Sequence, residues 1–169
     1  GRVVATEGAI NEMLIQGALA GDTGETATPI VEAAGDIGVI TVEGAAGGPD
    51  LAGRLVSGGT FQGFDLNITS AAVDVSDIGA LRLEGDLAGI GLDADNANDT
   101  LNLGETVVVT GTLSGPIAAG EIHDLTLGEL VPEGSVVAED WIGELIITGA
   151  MSGGTIRAEG ADGTDYGIG

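Results

Sequence analysis

The chain has 169 residues, with 27 acidic side chains against 4 basic ones and a formal net charge of -23 at pH 7. A surface of that sign repels phosphate backbones and anionic lipid headgroups, because each phosphate contact needs a cation. Nucleic acid is therefore excluded as a partner, and calcium, other cations and basic partners are favoured. The absence of cysteine excludes disulfides and thiolate metal sites, and no apolar run approaches the roughly 18 residues that make a membrane-spanning helix.

Strong acidity often marks disorder, but only where hydrophobicity is low. Here the mean hydropathy is +0.35 and 43% of residues are hydrophobic, so a core can form. Aromatics make up 2%, which points to a narrow interior of Val, Ile, Leu and Ala with no room for large rings. The 32 glycines suit corners at which the backbone takes positive φ.

Taken in order, the chain repeats one phrase. Val3-Val-Ala5 leads into Ile10-Asn-Glu-Met-Leu-Ile-Gln-Gly17, and a polar insert follows over 22–29. Val31-Glu-Ala33 leads into Ile37-Gly-Val-Ile-Thr-Val-Glu-Gly44. The stretch from Pro49 to Ser70 is the least regular. Leu66 and Leu81 are too close for a full turn, so Leu66 belongs to a different side. Val73-Asp-Val75 precedes Ile78-Gly-Ala-Leu-Arg-Leu-Glu-Gly85, and a second polar insert covers 93–100. Val107 to Gly115 resumes the pattern, Ile117 to Leu127 forms the next copy, and Pro132 marks a turn. Val136-Val-Ala138 leads into Trp141-Ile-Gly-Glu-Leu-Ile-Ile-Thr-Gly149, and Ile156-Arg-Ala158 begins one more winding.

Regular copies span about 19 or 20 residues and looped ones about 26, a periodicity that marks repeat architectures. Within each copy apolar residues alternate: Met13 and Ile15, Leu81 and Leu83, Leu125 and Leu127, Leu145 and Ile147. Period two means strand, with these residues inward and Gln16, Arg82, Glu84 and Thr126 outward. A strand too short to bury its own apolar face, repeated with glycine corners, predicts stacked windings around one aliphatic column. The expected fold is all-β: a single parallel β-helix domain over 1–169, of about seven turns, right-handed as parallel crossovers are. The alternative is an antiparallel β-sandwich. The chain begins and ends inside a repeat, and the expectation is a unit of a larger assembly.

The phrases Gly35 to Gly44, Ser76 to Gly85 and Trp141 to Gly149 resemble the repeat arrays of large secreted and cell-surface bacterial β-helix proteins. That resemblance implies an extracellular or cell-surface structural module of adhesin, stalk, surface-layer or fibre type. It brings no catalytic residues with it. The acidity and the missing lysines also resemble proteins of saline habitats.

Chemistry-bearing residues are few. Asp93, Asp95 and Asp99, with Asn96 and Asn98, form an acidic loop of the oxygen-rich kind that calcium prefers, although its spacing is not that of an EF-hand. The tail from Glu159 to Asp165 is a lesser calcium candidate. His123, the one histidine, reads as an outward strand residue, and with it goes the one route to a histidine-based acid–base pair. The chain is not expected to be an enzyme. A carbohydrate-binding or polysaccharide-cleaving β-helix is the rival reading, and it requires Phe61, Phe64, Trp141 and Tyr166 to share one face. Asn67-Ile-Thr69 and Asn98-Asp-Thr100 fit the N-glycosylation pattern.

Overall fold

The computed structural model describes residues 1–43, 51–66, 78–93, 95–96, 99–100 and 102–160, with the backbone alone from 93 to 100. The strands run in chain order β1 (Val3–Ala5), β2 (Ile10–Gln16), β3 (Val31–Ala33), β4 (Ile37–Glu43), β5 (Leu51–Phe61), β6 (Phe64–Leu66) and β7 (Ile78–Leu87). They continue as β8 (Leu92–Asp93), β9 (Asp95–Asn96), β10 (Asp99–Thr100), β11 (Leu103–Leu113), β12 (Pro116–Leu130), β13 (Ser135–Ile147) and β14 (Thr155–Ala158). No helix occurs among the described residues.

Every ladder of the 12-stranded sheet is parallel. Parallel neighbours need long crossovers, so each strand pairs with its counterpart one winding on. The result is a β-solenoid of about five turns, and the sandwich alternative falls. The turns can be followed down the column Leu19, Leu51, Ile78, Leu103, Ile122 and Ile142. Partial windings extend the stack on either side of it.

Side chains stack like on like. One inward column reads Val3, Val31, Leu55, Leu83, Val109, Leu127, Ile147. A second reads Ile10, Ile37, Phe61, Leu87, Leu113, Leu130, Met151. A third reads Met13, Ile40, Phe64, Leu92, Ile117, Val136, Ile156. Away from the two ends, these residues are buried. Ser57 is the one buried polar side chain among the described residues. Its hydroxyl donates to the Gly35 carbonyl at 3.0 Å and accepts from the Gly59 N–H at 3.2 Å, so no polar group is stranded in the shaft.

Three expectations need correction. The stretch from Pro49 to Ser70 carries regular strands, β5 and β6, whose residues fall in every column. Its pattern is hidden because Gly53 stands where the next winding has Leu81, and Ser57 also points inward. That small pair explains the second correction. Phe61 and Phe64 are fully buried, their ring centroids 6.3 Å apart. The interior does admit rings, on a winding whose other inward positions are small. Leu66 does lie on another side from Leu81: it pairs with Val42, and Leu81 with Gly53.

The third correction concerns phase. The phrases at Ile78 and Ile142 belong to one column, joined through Leu103 and Ile122. The similar phrase at Ile37 lies in a different column, paired with Ile10 and Phe61. The phrase has moved around the shaft between the two halves. It encodes an apolar strand with a glycine corner, and any side of the coil accepts one.

Candidate functional site

The corners determine where polar side chains are held. At one corner the Asp36 carboxylate accepts the Thr60 N–H at 2.9 Å, and two windings later Asp86 accepts the Thr112 N–H at 2.7 Å. Both contacts lie at register shifts, where the ladder leaves an N–H without a backbone partner. A Cβ on Gly59 or Gly111 would sit 2.1 or 2.4 Å from those carboxylates, so glycine is required beneath each. Asn102 plays the same part for the Glu121 N–H, at 2.9 Å.

The arginines, read from the sequence as scattered, are gathered. Arg54 and Arg82 are register partners on β5 and β7. The Arg54 guanidinium donates twice to Glu84, Nε to Oε1 and Nη2 to Oε2, both at 2.8 Å, and its Nη1 donates to the Ala27 carbonyl at 2.7 Å. Arg82 donates to Glu84 at 2.9 Å and to Glu25 at 3.2 Å. Arg2 pairs with Glu32 and donates to the Pro29 carbonyl at 3.0 Å. Three of the four arginines therefore clasp the insert over 22–29 against the coil. Hydrogen bonds from Arg54, and after them from Arg82, overcome the cost of burial and hold the Glu84 carboxyl down at about 2. The same contact with Glu84 raises Arg54. The sequence signal was the outward alternation of Arg82 and Glu84. The partners one and two windings away carried none.

The one histidine and the one tryptophan meet on adjacent windings. Glu121 and Trp141 are register partners. The His123 and Trp141 rings approach edge-on at 4.7 Å, and His123 Nε2 lies 3.9 Å from Glu121 Oε2. His123 is exposed, as its outward strand position required. Trp141 lies within β13 rather than ahead of a strand. A Cβ on Gly143 would come 2.7 Å from the indole and 2.5 Å from the His123 carbonyl, so the glycine makes room for the ring. The pair packs a corner and stands beside no hydroxyl or thiol nucleophile that any printed contact supplies.

The acidic insert is a short antiparallel hairpin, β9 with β10, in which Asp95 faces Thr100 and Asn96 faces Asp99. Asp93 continues the solenoid ladder between Asp65 and Ala118. The side chains of Asp93, Asp95 and Asp99, on which the calcium expectation rests, lie outside the described residues, as do the tail from 161 to 169, Asn67 to Thr69 and Asn98. Among the described residues no three His, Cys, Asp or Glu side chains gather as metal ligands. The aromatic face required by the carbohydrate rival does not form, since Phe61 and Phe64 are core residues while Trp141 is exposed.

Compared with family models, curated proteins and solved structures, the chain matches none.

Proposed function

We propose that this protein is a structural β-solenoid module of an extracellular or cell-surface assembly, of the kind found in bacterial adhesins, stalks, fibres and surface layers. Its work is mechanical and not enzymatic. The observation that carries the reading is the unbroken shaft: along each column the inward positions are apolar, and Ser57 is the one buried polar side chain among the described residues. Such a body resists bending because every winding is bonded to the next along its length. The acids coat the outside and keep the rod hydrated and apart from anionic surfaces. Counting the partial windings, the proposed rod has seven rungs, coils right-handed as parallel crossovers do, and is about 35 Å long at ~4.8 Å per rung. Its partners are neighbouring rungs or further copies of itself.

Immunogold electron microscopy of the native material tests this. The label is expected on a surface fibre or layer. Label dispersed through the cell interior would refute the assignment.

A further inference from the structure

Seven large hydrophobic residues are exposed among the described ones: Val3, Val4, Leu14, Ile90, Trp141, Ile146 and Met151. All but Ile90 lie on the first or the last described winding. The inward residues of those two windings are uncovered as well: Ile10 and Met13 at one end and Ile147 and Ile156 at the other are half-buried, while their equivalents between are buried. Elsewhere an acidic coil hides its apolar side chains, so the bare residues gather where one more winding would cover them.

The two ends match. Ile147 closes the column that Val3 opens, Met151 the column that Ile10 opens, and Ile156 the column that Met13 opens. We propose that the last winding of one copy receives the first winding of a second copy, head to tail, with Ile147 on Val3, Met151 on Ile10 and Ile156 on Met13. This rests on the structural-module reading and names its partner. The contact repeats the ladder found inside the chain: parallel strand on parallel strand, with aliphatic side chains in line. Because the two patches differ, the contact is heterologous, and copies add into an open fibre rather than a closed dimer. Each copy carries -23, so copies repel until salt shortens the reach of that charge from about 10 Å at 0.1 M to about 3 Å at 1 M. Assembly is therefore salt-promoted, unlike association through opposite charges.

The cysteine-free chain allows a direct test. In the full chain carrying both Ile10→Cys and Met151→Cys, the two thiols sit at opposite ends of one copy, far beyond the ~7 Å Cα limit for a disulfide. In the stack they face each other across one ~4.8 Å rung spacing. Oxidation with glutathione disulfide in about 2 M NaCl should give a ladder of covalent multimers, at least ~10-fold more than in about 0.05 M NaCl. Either single-cysteine variant should stop at dimer. The pair Ile10→Cys with Ile147→Cys, one column out of line, should give little ladder. A monomer at every salt concentration, or a ladder as strong from the misaligned pair, would overturn the proposal. A monomer that keeps its β-rich circular dichroism and elongated sedimentation would leave the structural-module reading standing, so the two failures are distinguishable.

Discussion

At the scale of single residues, the Glu84 carboxylate has the largest electrostatic leverage. Its side chain is 24% exposed and carries three hydrogen bonds from two guanidinium groups. A carboxyl held at about 2 against an ordinary 4.5 stabilises the fold above pH 4.5, and that contribution is lost as pH falls from there through 2. Glu84→Gln is expected to cost about 2 kcal/mol near neutral pH. In urea titrations the gap between variant and parent should close as pH is lowered toward 2; a gap constant across that range would mean that the ion pairs contribute nothing. Much of this was legible beforehand, since alternation alone placed Arg82 and Glu84 outward. Arg54 and Glu25 were not legible as their partners, because register across a parallel solenoid depends on the lengths of the intervening loops, and those follow no period.

Among the elements, corners are the sensitive parts. Gly91 lies between β8 and the chain before it with φ +67, and a Cβ there would come 1.9 Å from the Pro116 carbonyl oxygen. Both the backbone conformation and the space demand glycine. Gly91→Ala is expected to destabilise by about 3 kcal/mol or more. Gly24→Ala, whose nearest foreign atom would be an Asp22 oxygen at 3.6 Å, should stay within about 0.5 kcal/mol. Equal melting temperatures for the two would show that the windings can part at this corner. The sequence revealed strands and corners well: the inward pairs Leu81 and Leu83 or Leu125 and Leu127 are buried as expected. It did not reveal which side of the coil each copy occupies. Ile37 and Ile78 head nearly the same phrase yet sit in different columns, since stacking asks only for an aliphatic residue at each inward place. Gly53 in place of a leucine similarly hid a full winding.

For the whole molecule, the opposition is between a dry aliphatic shaft and a coat of like charge. Four cations cannot neutralise 27 acids, and three of the four are committed to the clasp over 22–29. Carboxylates on successive windings lie about 4.8 to 15 Å apart, close enough to repel in dilute salt and largely screened near 1 M. Unfolding spreads those charges apart, so repulsion acts against the native coil more than against the open chain. The melting temperature should therefore rise by several degrees between about 0.02 M and about 1 M NaCl. Salt also weakens the exposed ion pairs, but such pairs contribute at most about 1 kcal/mol each, less than the relief of a net charge of this size. The measurement belongs at about 1 µM protein, checked as monomer by sedimentation, because end-on stacking would itself raise the melting temperature with concentration. A melting temperature that falls with salt would mean that the clasp and its kin outweigh the repulsive coat. The stability of the rod would then rest on ion pairing as much as on its shaft.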